Sequence, residues 1–386
     1  VSIQTLASEF LEQGQKAGDL LRRSRMSECV LLLLRMFRPI AHLPKVILMS
    51  RHDLSILGAF CFCSMTAFAH AEQKLELAAP FTDNMILQRQ TQAPVWGFDA
   101  PGTKITVEFA EQKKLAVADR NGDWMVKFDP LTASREDRRL TATNDRGESV
   151  ILERVLVGEV WFSSGQSNMV WTAGSSMCRD LASEIARSQT DIPIREININ
   201  TVSALYPQKA ATSDGGWKTH KSAGGFSALS LSFAWALYQE LDMPIGILLS
   251  AHSNTRIEAF TQRKAIEGHP RLIGDRTLIH DADPATEQGR KAFDTYYKEL
   301  RAWQAVAGKA ADLGGRVPTR PKLPGISGMW RGPSQFFNGK INPIIPFAIR
   351  GAIWCQGTSN SGDGRIYAAR MEALVNGWRD AWDMPE

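Results

Sequence analysis

From residue 155 to 162 the chain reads Val-Leu-Val-Gly-Glu-Val-Trp-Phe, and it breaks at once into Ser-Ser-Gly-Gln-Ser-Asn over residues 163–168. The first run is apolar at both alternating positions. That suits a strand covered on both faces, as in a parallel sheet with helices packed on either side. The second run is too rich in Ser, Gly and Asn to continue a strand and reads as a tight turn into a helix. A buried strand that ends in such a turn is the opening unit of an α/β fold, and the downstream sequence has to supply its partners.

The partners follow in order. Residues 192–199, 245–250 and 348–355 read as further strands, and residues 228–240 and 366–382 as helices. The stretch 257–308 is helix-rich and charged, and 316–324 is a Pro/Gly break. The predicted fold class is α/β, a parallel sheet flanked by helices over residues 154–386. Ahead of it, residues 74–153 carry short alternating segments between turn signals. Asn121-Gly122 is expected to close a hairpin there, and Trp96 and Trp124 to sit in a core, the pattern of a small antiparallel β-sandwich.

The start of the chain has a different character. Residues 49–71 show a basic beginning, an apolar stretch broken only by small residues, and the triplet Ala69-His70-Ala71. This is the pattern of a secretory signal peptide and predicts export to the periplasm or the medium. Residues 1–48 are then expected to be upstream sequence outside the mature protein. The rival reading is a cytosolic extension, or a membrane-associated segment around residues 30–34. No stable membrane span is expected once the signal is removed.

Composition enters mainly through what it excludes. With 386 residues, 44% of them hydrophobic, there is material for two cores. The formal net charge is only +4, and Arg22, Arg23, Arg25, Arg35, Arg38 and Lys45 all precede the signal pattern, so nucleic acid is not an expected partner. Of five cysteines, Cys178 and Cys355 lie beyond residue 71; they can pair in an exported protein but make no framework. Neither C-x-x-C nor H-E-x-x-H occurs, so no metal site is expected.

Polar segments fall at the carboxyl ends of the predicted parallel strands, where α/β sheets bind ligands. They are Gly165-Gln166-Ser167-Asn168, the stretch Ala251 to Phe260 that begins with His252-Ser253-Asn254, and Gln356-Gly357-Thr358-Ser359-Asn360. Gly165 lets the backbone turn sharply, and backbone N–H groups beside a serine so presented can hold an oxyanion. The same residues also suit a plain helix cap formed by Ser167 or Asn168. Convergence of the segments on one sheet edge favours Ser167 as a nucleophile. The Gly-x-Ser-x-Gly elbow is not matched, because Met169 replaces its second glycine.

Gly158-Glu159-Val160-Trp161 followed by Ser164-Gly165-Gln166-Ser167-Asn168-Met169 resembles the first block of the sialate O-acetylesterase family, a branch of the SGNH hydrolases related to carbohydrate esterase family 6. Further segments resemble it in the right order from about residue 75 onward. The resemblance implies an SGNH-hydrolase-like fold and removal of acetyl groups from sugars or polysaccharides, with sialate 9-O-acetyl esters and acetylxylan as alternatives. It implies acyl transfer through Ser167 without a cofactor. It also implies an oxyanion and substrate set made of Gly165, Gln166, Asn168, Asn254, Gln356, Gly357 and Asn360.

The sequence departs from the family pattern at telling places. His252-Ser253-Asn254 stands where Trp-Gly-Gly is usual, Thr358 stands where a Glu is usual, and no Asp-x-x-His follows Ser167. His252 becomes the candidate base, with a packed side chain in the Trp position as its plain alternative. Asp363, in a Gly-rich loop, is expected to be solvated. The departures suggest a C-terminally truncated or degenerate relative lacking its last strand and usual base. It would be an esterase, a carbohydrate-binding protein that no longer turns over, or an unstable fragment with no function of its own.

Overall fold

A computed structural model of the chain describes residues 74–325 and 331–384. The expected signal peptide and upstream extension lie outside the described residues. The strands are β1 (Glu76–Leu77), β2 (Ile86–Gln88), β3 (Ala93–Phe98), β4 (Lys104–Phe109), β5 (Gln112–Val117), β6 (Asp123–Phe128), β7 (Ser134–Asn144), β8 (Ser149–Gly165), β9 (Ile194–Asn198), β10 (Ile245–Ala251) and β11 (Gly351–Cys355). The helices are α1 (Ser167–Val170), α2 (Arg179–Arg187), α3 (Ala228–Leu241), α4 (Arg263–Gly268), α5 (Ile273–Ala282), α6 (Glu287–Asp312) and α7 (Ile366–Trp382). Among the described residues no helix is long and apolar enough to cross a membrane.

The larger sheet is hung on β8, which is 17 residues long. Its first half pairs antiparallel with β7 and parallel with β2, in the sheet order β5-β4-β7-β8. Its second half lies between two parallel strands, with Ala251 of β10 and Cys355 of β11 both in register with Gly165; β9 lies outside β10. The result is a mixed sheet flanked by helices, preceded by a small antiparallel sheet, β1-β3-β6. The boundary expected at residues 153–154 falls inside β8, where Arg154 takes a positive φ of 55°.

The antiparallel part corrects one expectation. Asn121-Gly122 does form a turn, held by Asp119, whose carbonyl accepts the Gly122 N–H and whose carboxylate accepts the Asn121 N–H at 2.7 Å. It joins β5 to β6, however, and these belong to different sheets. The hydrogen-bonded hairpin that β5 does make is with β4, turning at Ala110 and Glu111 with φ of 48° and 64°. Two positive φ values are what a tight hairpin turn needs, and neither residue is the Gly or Asn that would announce it. Trp96 and Trp124 are buried as expected.

Alternation along the parallel strands divides the core into two faces. Val160, Phe162, Ile197 and Leu248 belong to the cluster that includes Trp378 and Trp382 of α7, with the Phe162 and Trp378 rings 5.0 Å apart. Ile194, Ile245, Ile247 and Leu249 belong to the cluster that includes Leu231 and Ala234 of α3. Glu159 is the exception in the apolar run. Burial raises its pKa, but the Arg350 guanidinium at 2.7 Å and that of Arg89 at 2.5 Å outweigh burial and leave the carboxyl below its ordinary value. Gly158 next to it is needed for space, since a Cβ there would stand 1.9 Å from the Pro244 carbonyl oxygen.

Candidate active site

Gly165 ends β8 with a φ of +141°, and a Cβ on it would lie 2.1 Å from the Cys355 carbonyl oxygen. Only glycine lets the strand turn there. The turn is then fixed on both flanks. The Gln166 N–H donates to the Cys355 carbonyl at 3.1 Å, and the His252 N–H donates to the Gly165 carbonyl at 3.1 Å. The ends of β10 and β11 thus hold the backbone immediately before Ser167. Ser167 is the first residue of α1 and is half-buried; the residue at the cap position is Gln166, whose side chain makes no capping bond. The plain cap reading of Ser167 is therefore not what the fold uses. Among the described residues no side chain is hydrogen-bonded to the Ser167 hydroxyl. Asn168 beside it is exposed.

Gln166, expected to contact substrate, is buried and works as a brace. With its amide oriented by its neighbours, the oxygen accepts the N–H of Gly357 at 3.0 Å and of Thr358 at 2.8 Å, while the nitrogen donates to Ser359 Oγ at 2.5 Å. Gly357 is needed for this contact, because a Cβ there would come within 2.0 Å of the Gln166 side-chain amide.

Gln356 and Asn360 are likewise corrected as oxyanion donors. The Gln356 amide nitrogen donates to Asn360 Oδ1 at 2.5 Å and to the Thr255 carbonyl at 3.2 Å. Asn360 is buried; it donates to Glu258 Oε2 at 3.0 Å and Asp363 Oδ2 at 2.6 Å, and it accepts the Ile257 N–H at 2.9 Å. The reason is a charge network behind the loops. Arg256 contacts both Glu258 and Asp363, and Arg370 binds Asp363 and the Asp275 carboxylate. Neutral amides complete the hydrogen bonding of these buried groups, so none of their N–H bonds is left for a substrate. Asp363, expected in solvent, has only 7% of its side chain exposed. Burial raises its pKa, but Asn360 and the two guanidiniums more than offset this and hold it below the ordinary value.

Asn254 is exposed, with a positive φ of 53° that asparagine tolerates. Its carbonyl accepts from Arg331 at 2.5 Å. His252 is half-buried, its ring edge-on to Phe336 at 5.1 Å. Its Nδ1 meets the Thr201 hydroxyl at 3.2 Å, whereas a histidine base of the usual kind leans on a carboxylate. Burial, Lys340 and Arg331 press its pKa down to about 4. The ring is neutral at pH 7 but a weak base, which fits the packed reading better than the catalytic one.

Several charged residues at this sheet edge went unrecognised in the sequence. Lys340 is buried and donates to the Ala251 carbonyl at 2.7 Å and to Thr201 Oγ1 at 3.2 Å; burial lowers its pKa to about 7. Glu258 lies within the second segment but gives no sign of its burial. Glu196, on β9, is 5% exposed. The cysteines Cys178 and Cys355 are both free thiols.

No protein-family model matches the chain. Over 331 residues, 79% of its length, the chain is 26% identical to the sialate O-acetylesterase of Rattus norvegicus, and over 323 residues it is 24% identical to that of Homo sapiens. It spans 56% and 53% of those proteins, about half of each. Among solved structures, a carbohydrate acetylesterase from Xanthomonas citri superposes with a TM-score of 0.58 at 25% identity, over 80% of this chain and 58% of that one. The chain is thus similar in sequence to sialate O-acetylesterases and shares the α/β fold of a carbohydrate acetylesterase, as the motifs implied.

Proposed function

We propose that the chain is a carbohydrate O-acetylesterase acting through Ser167. The serine oxygen attacks the acetyl carbonyl, the sugar hydroxyl leaves with a proton, and water then releases acetate from the acetyl-serine. The observation that carries this reading is the placement of Ser167. It opens a helix straight after a parallel strand, on a turn held by the ends of both neighbouring strands. The reaction as written needs no metal or organic cofactor. Export is part of the same reading and rests on the sequence pattern of residues 49–71; the N-terminus of protein recovered outside the cell tests it.

The first experiment is acetate release from acetylated sugars. Ser167→Ala is expected to lower the rate on the order of a thousandfold or more. Release that survives the substitution overturns the proposal. A second reading, sugar binding without turnover, is favoured by a specific observation. The histidine–carboxylate contacts among the described residues involve His220, His269 and His280, none of which lies on the loops around Ser167. Calorimetric binding of a sugar by unmodified protein that releases no acetate decides for that reading.

A further inference from the structure

A cavity of about 490 Å³ lies against the serine turn. Its wall includes Ala251, which is in register with Gly165, and Val170, the last residue of the helix that Ser167 begins. Its volume falls in the range of small-molecule pockets. Leu249, Ala251 and Phe226 give it an apolar side, and Glu196, Ser222 and Ser227 a polar one. An apolar side facing a hydrogen-bonding side suits a sugar ring, which presents C–H faces and hydroxyl edges.

The charges in its wall are unusual for a site that recognises an acid. They are Glu196, Asp214 and Lys218, and the Lys218 ammonium is 3.7 Å from the Asp214 carboxylate that answers it. Among the described residues no arginine lines the cavity. A carboxylate on a ligand would meet the Asp214 carboxylate and the ammonium that Asp214 already engages, where such recognition normally relies on a free guanidinium or ammonium.

Glu196 sets the character of the polar side. It comes from β9, and its backbone exchanges hydrogen bonds with Lys218. Both of its carboxyl oxygens stand 3.2 Å from the same N–H, that of Ser227. One donor for two oxygens leaves capacity for a ligand. Burial pushes its pKa up to about 8, against the lowering effect of the Ser227 N–H, so the group is uncharged at neutral pH and has an O–H to donate. Ser227 in turn contacts Met169 Sδ at 3.6 Å, two residues beyond Ser167, so Glu196 also helps to seat the turn.

Building on the esterase reading above, we propose that this cavity is the subsite for the sugar ring that carries the acetyl group. Glu196 is its specificity-determining residue, and the site takes uncharged acetylated sugars in preference to those bearing a carboxylate.

The test uses the full chain carrying Ser167→Ala, so that binding is read without turnover. The probes are a mono-acetylated methyl glucoside and the matching methyl glucuronoside, which differ only in a CH₂OH against a carboxylate. Calorimetry or saturation-transfer NMR is expected to show the glucoside binding about tenfold tighter or more at pH 7. Glu196→Gln keeps the preference, and Glu196→Lys reverses it. Asp214→Arg narrows it at an exposed rim position where folding is not at stake. Equal or tighter binding of the glucuronoside overturns the proposal, as does a preference that Asp214→Arg and a folded Glu196→Lys both leave unmoved. Hydrolysis of para-nitrophenyl acetate by unmodified protein reports the serine chemistry separately. Ser167-dependent release there with no glucoside preference removes the subsite and keeps the esterase. Absence of release removes the esterase, and the binding preference still decides the subsite.

Discussion

Lys340 is a buried cation whose hydrogen-bond acceptors are a carbonyl and a hydroxyl. Its folded pKa of about 7 lies below the ordinary 10.5, so unfolded chain holds the proton more tightly than native chain. Its contribution to stability is fully present above pH 10.5 and is lost as pH falls through about 7. Lys340→Met should therefore raise stability most at and below neutral pH, by about 1–3 kcal/mol, with the advantage shrinking toward pH 10. Urea denaturation at several pH values measures this, and a pH-independent difference would contradict it. Gly165→Ala tests the opposite kind of residue. It forces a methyl group to within 2.1 Å of the Cys355 carbonyl oxygen at a positive φ, and should cost about 2 kcal/mol or more and, under the function proposed above, most of the acetate release. Gly165 and Ser167 were legible because local backbone geometry dictates them. Glu196, Glu258, Lys340 and the brace role of Gln166 were not, because each depends on partners remote in sequence.

Elements set by local pattern were readable to within a few residues. The expected helix over residues 366–382 is α7 itself, and the expected strand over residues 245–250 is β10 short of one residue. The β4–β5 hairpin escaped because its turn uses Ala110 and Glu111, and the length of β8 escaped because its first half pairs as part of the antiparallel region. Two predictions belong at this scale. Phe162→Ala removes a fully buried ring packed on Trp378 and Trp382, and should cost about 3–5 kcal/mol by chemical denaturation. β11 pairs only with β8 among the described strands, and beside it runs a groove of about 290 Å³ lined by Trp354, Trp378, Trp382 and Met384. A strand edge of this kind invites pairing with another chain. Ala352→Lys, at an exposed position of β11, should lower association in light scattering without shifting the unfolding midpoint.

For the molecule as a whole, acid and base act on different groups. Glu159 and Asp363 have folded pKa values below the ordinary one, so their stabilisation is present above the carboxylate range and is lost as pH falls through it. His252, held at about 4, adds a loss as pH falls from 6.5 toward that value. Glu196 has the opposite sign, since its raised pKa makes its contribution present below 4.5 and lost as pH rises through about 8. The stability curve should therefore fall steeply in acid. Glu196→Gln should flatten its decline between pH 5 and 8, which denaturation at fixed temperature can check. The shared strand β8 has a consequence of another sort. A protein whose halves were strung together like beads would let either be swapped or shed. Here the ribbon that begins among the antiparallel strands is the same one that ends at the turn carrying Ser167, so the front half is the mounting of that side chain. Loosening the front half should therefore displace the Ser167 turn as well, and the two are expected to melt together.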